Sequence, residues 1–340
     1  MRKLNNVLYI MTEGSYLHCE NDTISVKIEG KNAARIPAHT IESIVCLCNT
    51  TISTPLIGYC GERGIGMSFH SSNGKFYGRV QGPVNGNVLL RKKQIELIGS
   101  DQSIEIVRNI LSGKLANSRN FLLKNSRDND VRSAQRIQAA AQLISQEHGS
   151  LMDTKSIDSM RGIEGSAASI YFSVFDEMLK TDDEDMAFSK RSRRPPENRV
   201  NAVLSFIYML LKNDVQSALE SVGFDPAVGY LHTLRPGRPS LALDLMEELR
   251  VPLCDRMVIS LINLRQIKSE DIVYCNGEYR ISDATKRIII DKWQKRKKEE
   301  IKHYYLNEKI PIGLIPYCQA MLLSKHLRGD IDAYPAFLWR

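Results

Sequence analysis

From Val7 to about Gly82 the apolar residues fall in short, β-branched runs such as ISVKI and IESIVC. Turn residues interrupt them every few positions, which is the texture of strands and turns. Within that stretch TPLIGYCGERG predicts one short helix ending at a glycine, and Asn73-Gly74 between two strand-like runs predicts a tight hairpin. After a transition near GPVNGNVLLRKKQ the apolar spacing changes to three and four, and it stays helical to the C-terminus with one exception. That exception is DIVYCNGEYRISD, 271–283, a second Asn-Gly hairpin, after which KRIIIDKWQKRKKEEIKHYY resumes as a long, strongly basic helix. AVLSFIYMLL, 202–211, is about half the length a bilayer crossing needs and reads as a buried helix. The expected architecture is α+β and multi-domain: a small N-terminal β domain, residues 1–90, followed by a larger all-helical domain, residues 91–340.

Two helical segments break their own patterns. In SIDSMRGIEGSAASIYFSVFDEMLK, 156–180, Met160, Ile163, Ala167, Ala168, Tyr171, Val174, Phe175 and Met178 form an apolar stripe, and Glu164 falls on it. A carboxylate facing a core must be protonated, paired or bound to a metal, and Arg161 or an arginine of a neighbouring helix is the simplest partner. In YLHTLRPGRPSLALDLMEELR, 230–250, Pro239 opens a helix over Ser240–Leu249 on which Asp244, Glu247 and Glu248 crowd one arc. Neither Asp244 nor Glu247 has a cation four residues on; Arg250, three residues after Glu247, is partial company. A solvated acidic face explains this arrangement, and so does a cation bound there. His232, just upstream, is either a hydrogen-bonded core residue or part of the same site.

A formal net charge of +7 permits polyanion binding without demanding it. The N-terminus, MRKLNNVLYIM, lacks the apolar core and cleavage site of a secretory signal, no segment reads as a membrane span, and cytoplasm is the expected location. Seven cysteines without a C-x-x-C pair fit reduced, buried thiols rather than disulfides or zinc. Two carboxylates with one imidazole make a mostly oxygen-donor set, which suits Mg²⁺ or Mn²⁺. Arginines surround these motifs: Arg191, Arg193, Arg194 and Arg199 in RSRRPPENR, and Arg235 and Arg238 in LRPGRP. A divalent cation beside guanidinium groups is a setting for phosphodiester chemistry, with the arginines on flanking phosphates. Those arginines are equally able to serve structural salt bridges.

GIEGSAASIYF, RRPPENRVNAVLSFIYMLL and VGYLHTLRPGRPSLALDLMEELR, taken in order along the chain, resemble the CRISPR-associated integrase of spacer acquisition, the universal first Cas protein family; the wording of the last is most similar to the I-C subtype. The resemblance covers nearly the whole chain, including LIGYCGERGIGMSFHSSNGKF in the β domain. It implies a β-sandwich-like N-terminal domain that forms a homodimer, and a helical domain carrying the metal site. On it, Glu164 matches the metal-binding glutamate, His232 the histidine and Glu247 the carboxylate ligand of the next helix, which is aspartate in some members. Asp244 matches the adjacent acidic residue of the same site. The implied activity is insertion of short foreign DNA duplexes into a CRISPR repeat array by 3′-hydroxyl attack on a phosphodiester, in partnership with the small second Cas protein. A hydrolytic metal-dependent nuclease or a non-catalytic nucleic-acid scaffold would use the same residues differently.

Overall fold

Tight turns organise the N-terminal strands. In the computed structural model, which describes residues 6–72, 75–80, 82, 88–192 and 195–339, Ser15–Glu20 (β2) and Thr23–Ile28 (β3) are joined by Asn21 and Asp22, both at positive φ. Asn and Asp tolerate that conformation, and it matches the twist of the paired strands. Lys31–Pro37 (β4) and Thr50–Ile52 (β6) complete one four-stranded sheet in the order β4-β3-β2-β6. The second sheet runs β1-β5-β7-β8, from Asn6–Ile10 (β1), Ile41–Cys46 (β5), Gly66–His70 (β7) and Phe76–Val80 (β8). Leu17, Ile24, Ile44, Leu56 and Met67 fill the core of these strands.

The first three strands of that second sheet are parallel, a pairing that the turn-rich pattern does not announce. The helix Thr54–Glu62 (α1), with Ser53 capping Leu56 N, lies between β5 and β7 in the chain, and parallel neighbours need such a connection. β7 and β8 pair antiparallel, as the expected hairpin requires; its Asn73-Gly74 turn lies outside the described residues.

The helical part contains Val88–Glu96 (α2), Asp101–Asn125 (α3), Val131–Asp153 (α4), Ile157–Ser173 (α5), Arg199–Val222 (α6), Ser240–Leu249 (α7) and Arg256–Asn263 (α8). Ile272–Cys275 (β9) and Glu278–Ile281 (β10) form the second hairpin, with Asn276 and Gly277 at positive φ as expected. Asp283–Lys298 (α9) and Ile315–Arg328 (α10) follow. α3 packs on α4, α5 and α7, and α6 packs on α7 and α10. The chain forms two compact units: Met1–Gly86 with Lys286–Glu299 and Pro311–Gly313, and Asn87–Thr285 with Glu300–Ile310 and Leu314–Arg340.

Several expectations are corrected. The basic helix stops at Lys298, and Glu300–Lys302 (β11) pairs with Lys309–Pro311 (β12). Burial of His303, whose Nε2 lies 3.0 Å from Gln319 Oε1, draws the chain off the helical path. The stripe expected to run to residue 180 as one helix ends at Ser173. Beyond it Val174, Phe175 and Met178 stay buried, in a turn that packs the Phe175 ring, tilted, against Phe188 at 4.8 Å between ring centroids. None of the seven cysteines forms a disulfide, but only Cys46, Cys60 and Cys254 are fully buried, and Cys275 is exposed on the β9–β10 hairpin. Among the described residues no helix is long and apolar enough to cross a membrane.

Candidate active site

α7 is buried on nearly every side, and Asp244, Glu247 and Glu248 are all inside the protein. The solvated acidic face is therefore excluded. The three carboxylates share one arc of the helix but sit at different heights along it, and each meets a different set of partners.

Asp244 anchors the loop before its own helix. Its carboxylate accepts from the backbone N–H of Tyr230 at 2.6 Å, of Leu231 at 2.9 Å and of His232 at 2.9 Å, and its Oδ1 lies 2.7 Å from His232 Nδ1. The loop must come close to do this. A Cβ on Gly229 would lie 2.6 Å from Asp244 Oδ2 and 2.7 Å from Leu241 N, so the glycine of VGYLH is a requirement of close approach. With Asp244 accepting from Nδ1–H, the imidazole presents Nε2 as a lone pair, 3.8 Å from Glu247 Oε1.

Glu247 is surrounded by cations. Lys114 Nζ donates to its Oε2 at 2.7 Å, and Arg250 Nη2 forms an ion pair with its Oε1 at 2.8 Å. Burial alone would raise its carboxyl, but the charges of Arg250 and Lys114 outweigh that and hold it well below the usual carboxylate range. Lys114 Nζ also donates to Glu164, so helices α3, α5 and α7 meet on one ammonium. Arg161 does not serve Glu164: it pairs with Asp158 and donates from Nε to Leu231 O at 2.6 Å.

The structure thus brings Glu164, His232 and Glu247 to one place, with Asp244 behind the histidine. Lys114 and Arg250 belong to the same constellation. Arg250 was visible in the sequence as partial company for Glu247, whereas Lys114 escaped notice although it falls in register with Ile110, Leu111, Leu115 and Ser118 on the buried side of α3. Among the described residues no three His, Cys, Asp or Glu side chains are arranged as a metal-binding group. An ammonium lies between the two glutamates instead. In kind, the donors suit a hard divalent cation: two carboxylates and one imidazole with its lone pair outward.

A cleft of about 440 Å³, open to solvent, adjoins this centre; Lys114, Ser118, Glu164, Tyr171, Tyr208 and Arg250 line it. Arg250 is buried in the wall of that cleft, and its Nε lacks a hydrogen-bond partner. Deeper in, Tyr208 OH donates to Asp255 at 2.7 Å.

Of the arginines expected to hold DNA, Arg193 and Arg194 lie outside the described residues. Arg235 is exposed and Arg238 half-buried on the turn that carries Gly237 at positive φ, and neither forms an ion pair among the described residues. Arg191 and Arg199 are structural here. Arg191 bonds Asn201 at 2.8 Å, and Arg199 pairs with Asp185 at 3.2 Å.

The family model described as CRISPR associated protein Cas1 matches residues 8–295. A CRISPR-associated endonuclease Cas1 of Rhodospirillum rubrum is 44% identical, with both chains covered in full. Among solved structures, a CAS1 protein from Thermotoga maritima superposes with a TM-score of 0.84 at 24% identity, covering 97% of this chain and 99% of that one. A casposase bound to integration product superposes at 0.83 with 20% identity, covering 98% and 94%. At these identities the two structures speak for the fold alone.

Proposed function

Because the chain belongs to the Cas1 family of CRISPR-associated proteins, we propose that it is a metal-dependent DNA integrase, inserting short foreign duplexes into a CRISPR repeat array by attack of a 3′-hydroxyl on a phosphodiester. The observation that carries this reading is the meeting of Glu164 and Glu247, from helices far apart in sequence, on one cation with His232 Nε2 beside them. Glu164, His232 and Glu247 would hold Mg²⁺ or Mn²⁺. When bound there, such an ion neutralises charge on the reacting phosphate and lowers the pKa of the attacking hydroxyl.

The remaining work falls to the chain's own groups. Asp244 holds the His232 ring in one tautomer and one orientation, leaving Nε2 to ligate or to receive a proton. Arg250 keeps Glu247 ionised and lies in the wall of the cleft, where its guanidinium charge would attract a phosphate. Arg193, Arg194, Arg235 and Arg238 are proposed to hold flanking phosphates. A second copy of this chain and the small second Cas protein are the proposed protein partners, with double-stranded DNA as substrate and the cytoplasm as the place of action.

The test is strand transfer of a duplex with a free 3′-hydroxyl into a repeat-containing target. Glu164→Ala is expected to lower joining by about 100-fold or more while leaving DNA binding intact. Full joining by that variant would refute the assignment, and fragments released without any joined product would point to hydrolysis instead.

A further inference from the structure

Resting on the reading of this centre as a divalent-cation site, we propose that Lys114 is a resident counter-ion, which the metal displaces and which then serves the reacting phosphate. Its ammonium bonds both Glu164 and Glu247, the two carboxylates assigned to the metal. This is no surface ion pair: the side chains are 10% exposed at Lys114 and 2% at Glu247. Without a cation the buried Glu247 and the half-buried Glu164 would repel each other, so the lysine lets the metal-free protein fold around a half-built site.

Charge arithmetic forces a choice once a dication arrives. Glu164 and Glu247 carry two negative charges, already balanced by Lys114 and Arg250. A divalent ion on the same carboxylate oxygens would face an ammonium at contact distance in a poorly solvated pocket, where like-charge repulsion is strong. The ammonium has somewhere to go. The Lys114 backbone is fixed in the middle of α3: its carbonyl accepts from Ser118 Oγ at 2.8 Å, and the side chain of its neighbour Asn117 bonds Glu248 O. Only the flexible four-carbon stem need turn, and it already lines the open cleft together with Ser118 and Tyr208. There it would be placed to neutralise charge on a phosphate entering the cleft. Metal binding and lysine displacement are thus one exchange, and the resident lysine weakens the apparent metal affinity.

The experiment measures Mn²⁺ binding by calorimetry and by the electron paramagnetic resonance of free Mn²⁺, for the wild type, Lys114→Met, Lys114→Gln and Glu164→Gln. Lys114→Met and Lys114→Gln are expected to bind Mn²⁺ on the order of tenfold more tightly than the wild type while joining DNA ends more slowly. In EDTA both should melt at lower temperature than the wild type, and Mn²⁺ should restore them, so a poorly folded variant is still read through its rescue. Unchanged or weaker Mn²⁺ binding in both lysine variants, with binding lost in Glu164→Gln, overturns the counter-ion and leaves the metal site standing. Binding that none of the three substitutions alters overturns the metal site and the counter-ion together.

Discussion

Single residues carry most of the site, and their legibility depended on how much each violated its surroundings. Glu164 could be picked out because a carboxylate on an apolar stripe must find a partner, and it has one in Lys114. The same logic applies to Lys114, an amine on the buried side of α3. Lysine stems lie along apolar surface so readily that the anomaly did not stand out. Asp255 makes a residue-scale prediction. Burial pushes its carboxyl up to about 6, against the hydrogen bond from Tyr208 and the nearby arginines, whereas its ordinary value is 3.8. Between those two pH values the folded protein keeps a proton that the unfolded chain has released. Stability from this group is therefore full below about pH 3.8, falls as pH rises toward 6, and is flat above. Asp255→Asn keeps an acceptor for Tyr208 and removes that slope. Urea denaturation at pH 4 and pH 7.5 should show the variant gaining on the wild type by on the order of 3 kcal/mol between the two; parallel curves would refute it.

At the scale of elements, α7 is held in place by the irregular C-terminal segment after α10. Glu248, next to Glu247, accepts from Tyr334 OH at 2.6 Å, Gln319 Nε2 at 2.8 Å and Phe337 N at 3.0 Å. Asn117 of α3 bonds Glu248 O and Phe337 O, both at 2.9 Å, and accepts from Trp339 N at 2.9 Å. α3 and α7 approach so closely here that a Cβ on Gly113 would lie 3.3 Å from Glu248 Cβ and 2.8 Å from Ala336 Cβ. Removing residues 331–340 would leave the buried Glu248 without two of its three donors, so a loss of about 3 kcal/mol or more is expected, with joining activity falling alongside. Thermal melting and the joining assay on the truncated chain check this; an unchanged Tm would refute it. Past Leu249 the chain widens into a π-helical turn over Arg250–Asp255, where Pro252 has no N–H to give an α-helical ladder. That turn keeps Arg250 beside Glu247 and brings Asp255 to Tyr208. Periodicity located α7 and the two hairpins well, but it missed the helix ends at Ser173 and Lys298, where tertiary burial overrode local pattern.

At the scale of the whole molecule, the basic excess of +7 matters only where it is free to act. Arg191 and Arg199 are engaged with their own chain, while Arg235 and Arg238 form no ion pair among the described residues. Arg238→Ala should therefore weaken DNA binding and reduce the slope of log K against log salt by about one unit. Affinity measured from low to moderate salt reads this directly, and an unaltered slope would place the residue away from phosphates.

Local rules were enough, from sequence alone, for the strand-rich start, the helical remainder and the Asn-Gly turn at 276–277, because turn chemistry and hydrophobic period act between residues close along the chain; the family came from the resemblance of its motifs. The tertiary structure decided the parallel pairing of β1, β5 and β7, the separate destinations of the three acids on α7, and the choice of Lys114 as the cation between two of them. Those are encounters between segments up to 133 residues apart, such as Lys114 and Glu247. No spacing rule reaches across such a gap; only the packing of α3, α5 and α7 brings the charges close enough to select one another.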